Sequence, residues 1–211
     1  MSNPGSNSLL NPLYTQRHKA NPYYGVVSRC DRHIQKMASF QGEAYIEVPS
    51  QPLRRLCTFG FSFQTFTVNA LLLLSTFVGK QEAEAEKDFY SVSLIDGRLA
   101  LKFSSSSNAG EEDSIVTTFV TKEAFNDGTD HTLSVTKSND RIDVFIDDNL
   151  VSQEQGVHLD DIQDISAPTN GGLYIGGIPF HLKDVVEKSG SVASINGFVG
   201  TISDLSFIDE L

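Results

Sequence analysis

Along residues 89–103, FYSVSLIDGRLALKF, apolar and polar side chains alternate with a single interruption. Tyr90, Val92 and Leu94 take turns with Ser91 and Ser93; after Asp96-Gly97 the alternation resumes as Leu99, Leu101 and Phe103 against Arg98, Ala100 and Lys102. Asp-Gly accepts positive φ at both centres of a two-residue type I′ turn. Closing a hairpin there pairs Ile95 with Arg98, Leu94 with Leu99, Val92 with Leu101 and Tyr90 with Phe103. A slip of one residue would turn that whole apolar set into water, so turn, pattern and register agree on a half-buried antiparallel hairpin.

The same period recurs on both sides of it. In SFQGEAYIEV (residues 39–48) Ala44, Ile46 and Val48 share a face that ends at Pro49, and in CTFGFSFQTF (residues 57–66) Cys57, Phe59, Phe61 and Phe63 do. Leu71 to Leu74 is apolar on both faces, as in a central strand covered on each side. Leu133 and Val135 point inward after an Asn126-Asp127-Gly128 turn. Ile142, Val144 and Ile146 precede a turn at Asp147 to Asn149 and a return strand. LYIGG (residues 173–177) is a further strand, and Leu205 and Phe207 share a face in the last one. No helix-length periodic segment follows Ala38. Roughly a dozen short strands joined by turn chemistry describe an all-β fold, an antiparallel two-sheet sandwich of the jelly-roll, concanavalin-like kind. Fourteen phenylalanines and no tryptophan suit its inter-sheet core.

An irregular N-terminal segment precedes the sandwich. Residues 1–37 read as a linker or extension, with Asn-Pro three times, and residues 38–211 as one domain. Asn11-Pro12-Leu13-Tyr14 and Asn21-Pro22-Tyr23-Tyr24 match the NPxY turn that phosphotyrosine-binding domains dock; turn-forming linker is the reading preferred here.

Charge narrows the function classes. The net charge is −11, yet Arg17, Lys19, Arg29, Arg32 and Lys36 stand against Asp31 alone in residues 1–40, a local +4 that leaves −15 for the rest. So acidic a body disfavours nucleic acid. Ala70 to Leu74, the longest apolar run, is far too short for membrane insertion. No basic-then-apolar leader opens the chain, so it is either cytosolic or a fragment of a larger secreted protein. Two cysteines, Cys30 and Cys57, allow one bridge or two thiols, and the parity of Cys57 with the phenylalanines makes it a small buried hydrophobe.

The order of short motifs from Ser39 to Leu211 resembles a laminin G-like domain, the sandwich module of laminin α chains, perlecan, agrin and neurexins. The matching stretches are Phe40-Gln41-Gly42 with Ala44-Tyr45-Ile46, Phe61 to Thr65, Leu72 to Leu74, and Asp88-Phe89-Tyr90 leading to Asp96-Gly97-Arg98-Leu99. Asp127-Gly128 with His131, Val144 to Asp148, Leu173 to Gly177 and Phe198-Val199-Gly200 complete the set. The chain departs from the family's pattern at Gln64 (usually Arg), at Asp130 (often Trp) and at Thr201 (often Cys), so the usual C-terminal disulfide is absent. It also holds no Asn-x-Ser/Thr acceptor.

The resemblance implies a calcium ion at the sandwich rim, held by carboxylates and main-chain carbonyls. Asp88 matches the first ligand and Ser105 one carbonyl. The other carbonyl falls near Ser166, and the second carboxylate position falls on Pro168, leaving Asp164 as a substitute. The resemblance also implies glycan or partner binding by Lys/Arg clusters, for which Arg54, Arg55, Arg98 and Lys102 are candidates; the plainer reading of Arg98 and Lys102 is a solubilising outer face. His131 reads as a structural histidine. Asp143 and Asp147 have the parity of a glycosidase pair, but as neighbours of a turn they are expected on an outward, solvated face.

The expected function is a non-enzymatic extracellular adhesion or recognition module. It would bind a cell-surface receptor, a matrix glycoprotein or an acidic glycan through rim loops Lys80–Glu86, Ser104–Asp113 and Gln163–Gly172, among neighbouring domains of a larger parent chain. The alternatives are a lectin-like binder of a neutral sugar or a small apolar ligand between the sheets, and, behind these, a glycoside hydrolase. Fold analogy carries these functional readings.

Overall fold

The structure is a computed structural model and describes residues 37–53, 56–76, 89–106, 114–138, 141–155 and 171–209. The strands are β1 (Met37–Gln41), β2 (Ile46–Pro49), β3 (Cys57–Thr65), β4 (Ala70–Thr76), β5 (Phe89–Ile95), β6 (Arg98–Ser106), β7 (Ser114–Ala124), β8 (Asp130–Ser138), β9 (Arg141–Ile146), β10 (Asn149–Gln155), β11 (Gly172–Ile175) and β12 (Val199–Asp209). They form two antiparallel six-stranded sheets, β1-β12-β3-β8-β9-β10 and β2-β11-β4-β5-β6-β7.

The alternating segments form strands because one face of each lies in the layer between the sheets. Phe59, Phe61 and Phe63 of β3 meet Tyr90, Val92 and Leu94 of β5 and Leu99, Leu101 and Phe103 of β6 in one buried cluster. The hairpin has the expected register, from Ile95↔Arg98 through Tyr90↔Phe103, with Asp96 and Gly97 at φ 52° and 75°. A second turn of this kind joins β9 to β10 through Asp147 and Asp148, φ 51° and 63°.

Bulges adjust the pattern where it drifts. The β4–β5 ladder jumps from Leu71↔Ser93 to Leu73↔Val92, leaving Leu72 as the extra residue. Leu72 and Leu73 therefore both enter the inter-sheet core, while Leu71 and Leu74 face the other way. In β12 the ladder shifts between Ser203 and Ser206, around Asp204 at φ 53°, so that Ile202, Leu205 and Phe207 are all buried.

Three expectations are corrected. Residues 39–48 are not one strand: β1 belongs to the first sheet and β2 to the second, and the chain crosses between them at Gly42 (φ 87°), leaving Ala44 exposed. Much of the hairpin is buried on both faces, since Ser91, Ser93 and Ala100 on its outer side are as inaccessible as its core residues. The cover is the third correction, a helix: a 3-10 turn at Phe180–Leu182 runs into α1 (Lys183–Ser189). Leu182, Val186, Val192 and Ile195 with Tyr45 and Ile178 pack on Leu71, Leu74 and Tyr174 as a second, smaller core. α1 ends where Gly190 takes the left-handed conformation at φ 68°. Among the described residues no helix is long and apolar enough to cross a membrane.

The cover is pinned by polar contacts: Ser91 Oγ donates to the Ser191 carbonyl at 2.7 Å. Ser93 Oγ, equally buried, has no hydrogen-bond partner among the described residues. Removing a buried hydroxyl with nothing to bond relieves its desolvation penalty, so Ser93→Ala is expected to stabilise the domain by about 1 kcal/mol. A thermal melt no higher than wild type would show that Ser93 has a partner.

Candidate functional site

The two ends of the sandwich differ in kind. At one end the strand registers bring Gly172 opposite Thr76, Tyr90 opposite Ser75, Phe89 opposite Ser104, and Ser114 opposite Ser106. The connections β4–β5, β6–β7 and β10–β11 therefore attach side by side at this end, and residues 77–88, 107–113 and 156–170 of them lie outside the described residues. Asp88, Asp164, Ser166 and Pro168 fall there as well, as do Arg54 and Arg55 elsewhere in the chain. Of the proposed calcium ligands only the Ser105 backbone is described, in β6 opposite Ile115. Calcium takes six to eight oxygens, and among the described residues no cluster of three or more His, Cys, Asp or Glu side chains is placed to hold a metal.

The other end is tied by tight turns. His131, at the start of β8, sits edge-on to Phe125 with centroids 5.2 Å apart. Its Nδ1 is 2.8 Å from Asp147 Oδ2 and its Nε2 is 3.2 Å from both Asp127 Oδ1 and Thr129 Oγ1. Asp147 Oδ1 also accepts the Thr132 N–H at 2.8 Å, and Asp127 Oδ1 accepts the Thr129 N–H at 2.8 Å. One imidazole thus clamps the turn before β8 to the turn between β9 and β10. His131 is structural and saturated, as the sequence suggests; its two carboxylate partners were not anticipated. The spacing Asp127-Gly-Thr-Asp-His131 carried that signal, because an Asx-turn acid four residues before a strand histidine ends up beside its ring.

The electrostatics of the clamp set a pH window. Burial works against a charged His131, but the hydrogen bonds and charges of Asp147 and Asp127 outweigh it and hold the imidazole above its ordinary 6.5. Burial likewise opposes ionised Asp147, and its bonds to His131 and Thr132 prevail to hold it below 3.8. Asp127 is held below 3.8 first by the Thr129 N–H, then by its hydroxyl. The histidine's contribution is complete below 6.5 and fades as pH rises through its folded value; the carboxylates' contribution is complete above 3.8 and fades as pH falls through theirs. The stability difference between wild type and His131→Gln is therefore expected to peak between about pH 4 and 6.5 and to shrink as pH rises beyond that window in urea titrations. A difference independent of pH would mean that His131 stays neutral.

The remaining candidates are separated. Arg98 is exposed and lies 3.8 Å from Asp96. Lys102 Nζ donates to the carbonyls of Gly190 at 2.8 Å and Val192 at 3.3 Å, where its charge complements the C-terminal end of α1. Their main-chain positions lie about 13 Å apart along β6, one side chain in solvent and the other bonded to the cover, and so they do not form one patch. Asp143 departs from its expected solvated position: it is buried, with Arg141 Nε 2.8 Å from its Oδ2, although that N–H is not aimed for a hydrogen bond. Asp147 is held by His131. The two acids face no common open site.

The laminin G domain family model matches residues 63–211. The chain is 29% identical to human laminin subunit alpha-1 over 168 residues, 77% of its length, and 24% identical to the mouse protein over 159 residues, 74% of its length. It spans 5% of each of those much longer relatives. A solved structure of the LG1-3 region of the laminin alpha2 chain superposes with a TM-score of 0.60 at 19% identity, covering 82% of this chain and 31% of that one. With the family model matched over most of its sandwich, and with two six-stranded antiparallel sheets in the fold, the chain belongs to the laminin G domain family.

Proposed function

We propose that this domain is a non-enzymatic recognition module of an extracellular matrix or cell-surface protein. Its partner is a cell-surface receptor, a matrix glycoprotein or an acidic glycan, engaged through the end where the β4–β5, β6–β7 and β10–β11 connections attach together. The observation that carries this reading is that convergence on a sandwich whose other end is locked by short turns and the His131 clamp. Loops held by a rigid scaffold are where binding specificity resides. Family membership supports a binding role, and the glycosidase pair gains no support from a buried Asp143 and a His131-bound Asp147.

The test is binding of the labelled full chain to intact cells and to immobilised heparin. Replacing residues 107–113 and 156–170 by Gly-Ser stretches of equal length is expected to abolish binding without unfolding the sandwich. Binding that survives both replacements would move the site elsewhere. A calcium-assisted form of this reading rests on Asp88, the residue before Phe89 in the sequence. It requires one-site heat on calcium titration that disappears in Asp88→Ala; a silent titration removes it and leaves the calcium-free reading intact.

A further inference from the structure

Four strands lie at sheet edges, and three of them are blunted in ways that discourage another strand from adding. β1 is five residues long; β2 has four, carries Glu47 and ends on Pro49; β10 is broken by a bulge between Leu150 and Ser152 and carries Glu154. β7 is different. It is eleven residues long, SIVTTFVTKEA, with no proline and with no charge from Ser114 to Thr121. Among the described residues its only hydrogen-bonded strand partner is β6, although β10 of the other sheet comes near it.

The register identifies which main-chain groups of β7 are open. Ile95 and Arg98 close the two-residue turn and so exchange both their main-chain bonds. Along β6, Ala100, Lys102 and Ser104 then also turn their N–H and C=O towards β5, while Leu99, Leu101 and Phe103 turn theirs towards β7. The Leu99 N–H bond to Thr121 Oγ1, 3.0 Å, agrees with this parity. Phe119 and Thr117, opposite Leu101 and Phe103, are thus bonded to β6. Val116, Thr118 and Val120 point their N–H and C=O away from the sheet. Their side chains share its outer face, where Val116 is 50% and Val120 51% exposed.

From this edge we infer that two copies of the chain pair through β7, antiparallel about a two-fold axis at Thr118, joining their sheets into one. The strand complements itself in that register. Val116 of each copy faces Val120 of the other, Thr118 faces Thr118, and the three pairs exchange about six main-chain bonds. Lys122 falls opposite Ser114, so no like charges meet from Ser114 to Lys122. Each copy carries a net −11, but charges farther apart than the roughly 8 Å Debye length at physiological salt are largely screened. The dimer therefore tightens as salt rises, the opposite of an association driven by charge attraction.

Sedimentation equilibrium of the full chain tests this. A reversible dimer is expected at roughly 10–100 μM, strengthening from about 0.05 to about 0.5 M NaCl. Because position 118 meets only itself, Thr118→Lys and Thr118→Glu are each expected to be folded monomers, verified by their unchanged melts. Mixed in equal amounts they are expected to associate again. A wild-type chain that stays monomeric, a Thr118→Lys chain that dimerises undiminished, or a mixture that does not associate would overturn the inference. So would an edge that captures an extended peptide of another protein while the chain itself remains single.

Discussion

Phe59→Ala is expected to cost the domain about 3–5 kcal/mol, the range for emptying a buried phenylalanine site in a core that cannot collapse to fill it. Phe59 links the two sheets through its ring contacts. Its ring stacks on Phe207 of β12 at 5.9 Å, with 21° between planes, and leans on Tyr90 of β5 at 5.8 Å. Tyr90 is in turn fixed by its hydroxyl, which donates to the Gln51 carbonyl at 2.8 Å. The three rings come from three strands and both sheets, so the cavity would be walled by elements whose spacing their own ladders fix. A loss of that size lowers the melting temperature of a chain this long by roughly 6–20 °C. A drop of only a few degrees would mean that the sheets close over the gap, and the core would then be softer than its ring packing indicates.

Gly197→Ala is expected to be at least as damaging, by about 4 kcal/mol or more, although it adds only a methyl group. A Cβ at Gly197 would run into the carbonyl oxygen and carbon of Gly42, main-chain atoms that no side-chain rotation can move. Gly42 is the crossing point between the sheets, and its N–H donates to the Phe198 carbonyl at 2.8 Å. Relief of the clash would therefore pull on both β1 and the start of β12. Gly190→Ala provides the contrast. Nothing lies within 4 Å of its Cβ position, so it carries only the left-handed backbone penalty of about 1–2 kcal/mol. A loss at Gly197 no larger than that at Gly190, read from urea unfolding, would show that the main chain at Gly42 shifts to admit the methyl group.

These cases separate what was legible along the chain from what was not. The β5–β6 hairpin was readable because each determinant is local: a two-residue period, an Asp-Gly pair and a register that only one alignment satisfies. The all-β sandwich and the Asp147 turn were readable for the same reason. The helix was not. In KDVVEKS only Val186 is buried, too short a stripe to show a period of 3.6 residues, and its partners Leu71 and Leu74 lie far away in sequence. The His131 site was half legible. Its saturation followed from its position after a turn, but Asp147 reaches it only because β8 and β9 pair.

The sequence by itself determined which residues extend, where the chain reverses and which side chains share a face, because sterics and turn geometry act between near neighbours. Whether the second face of a strand meets water was decided by tertiary structure alone. Ser91, Ser93, Ala100 and Asp143 all stand at polar-parity positions and are all buried. Alternation orders the two sides of a strand relative to each other, whereas burial depends on what distant segments the fold lays across them.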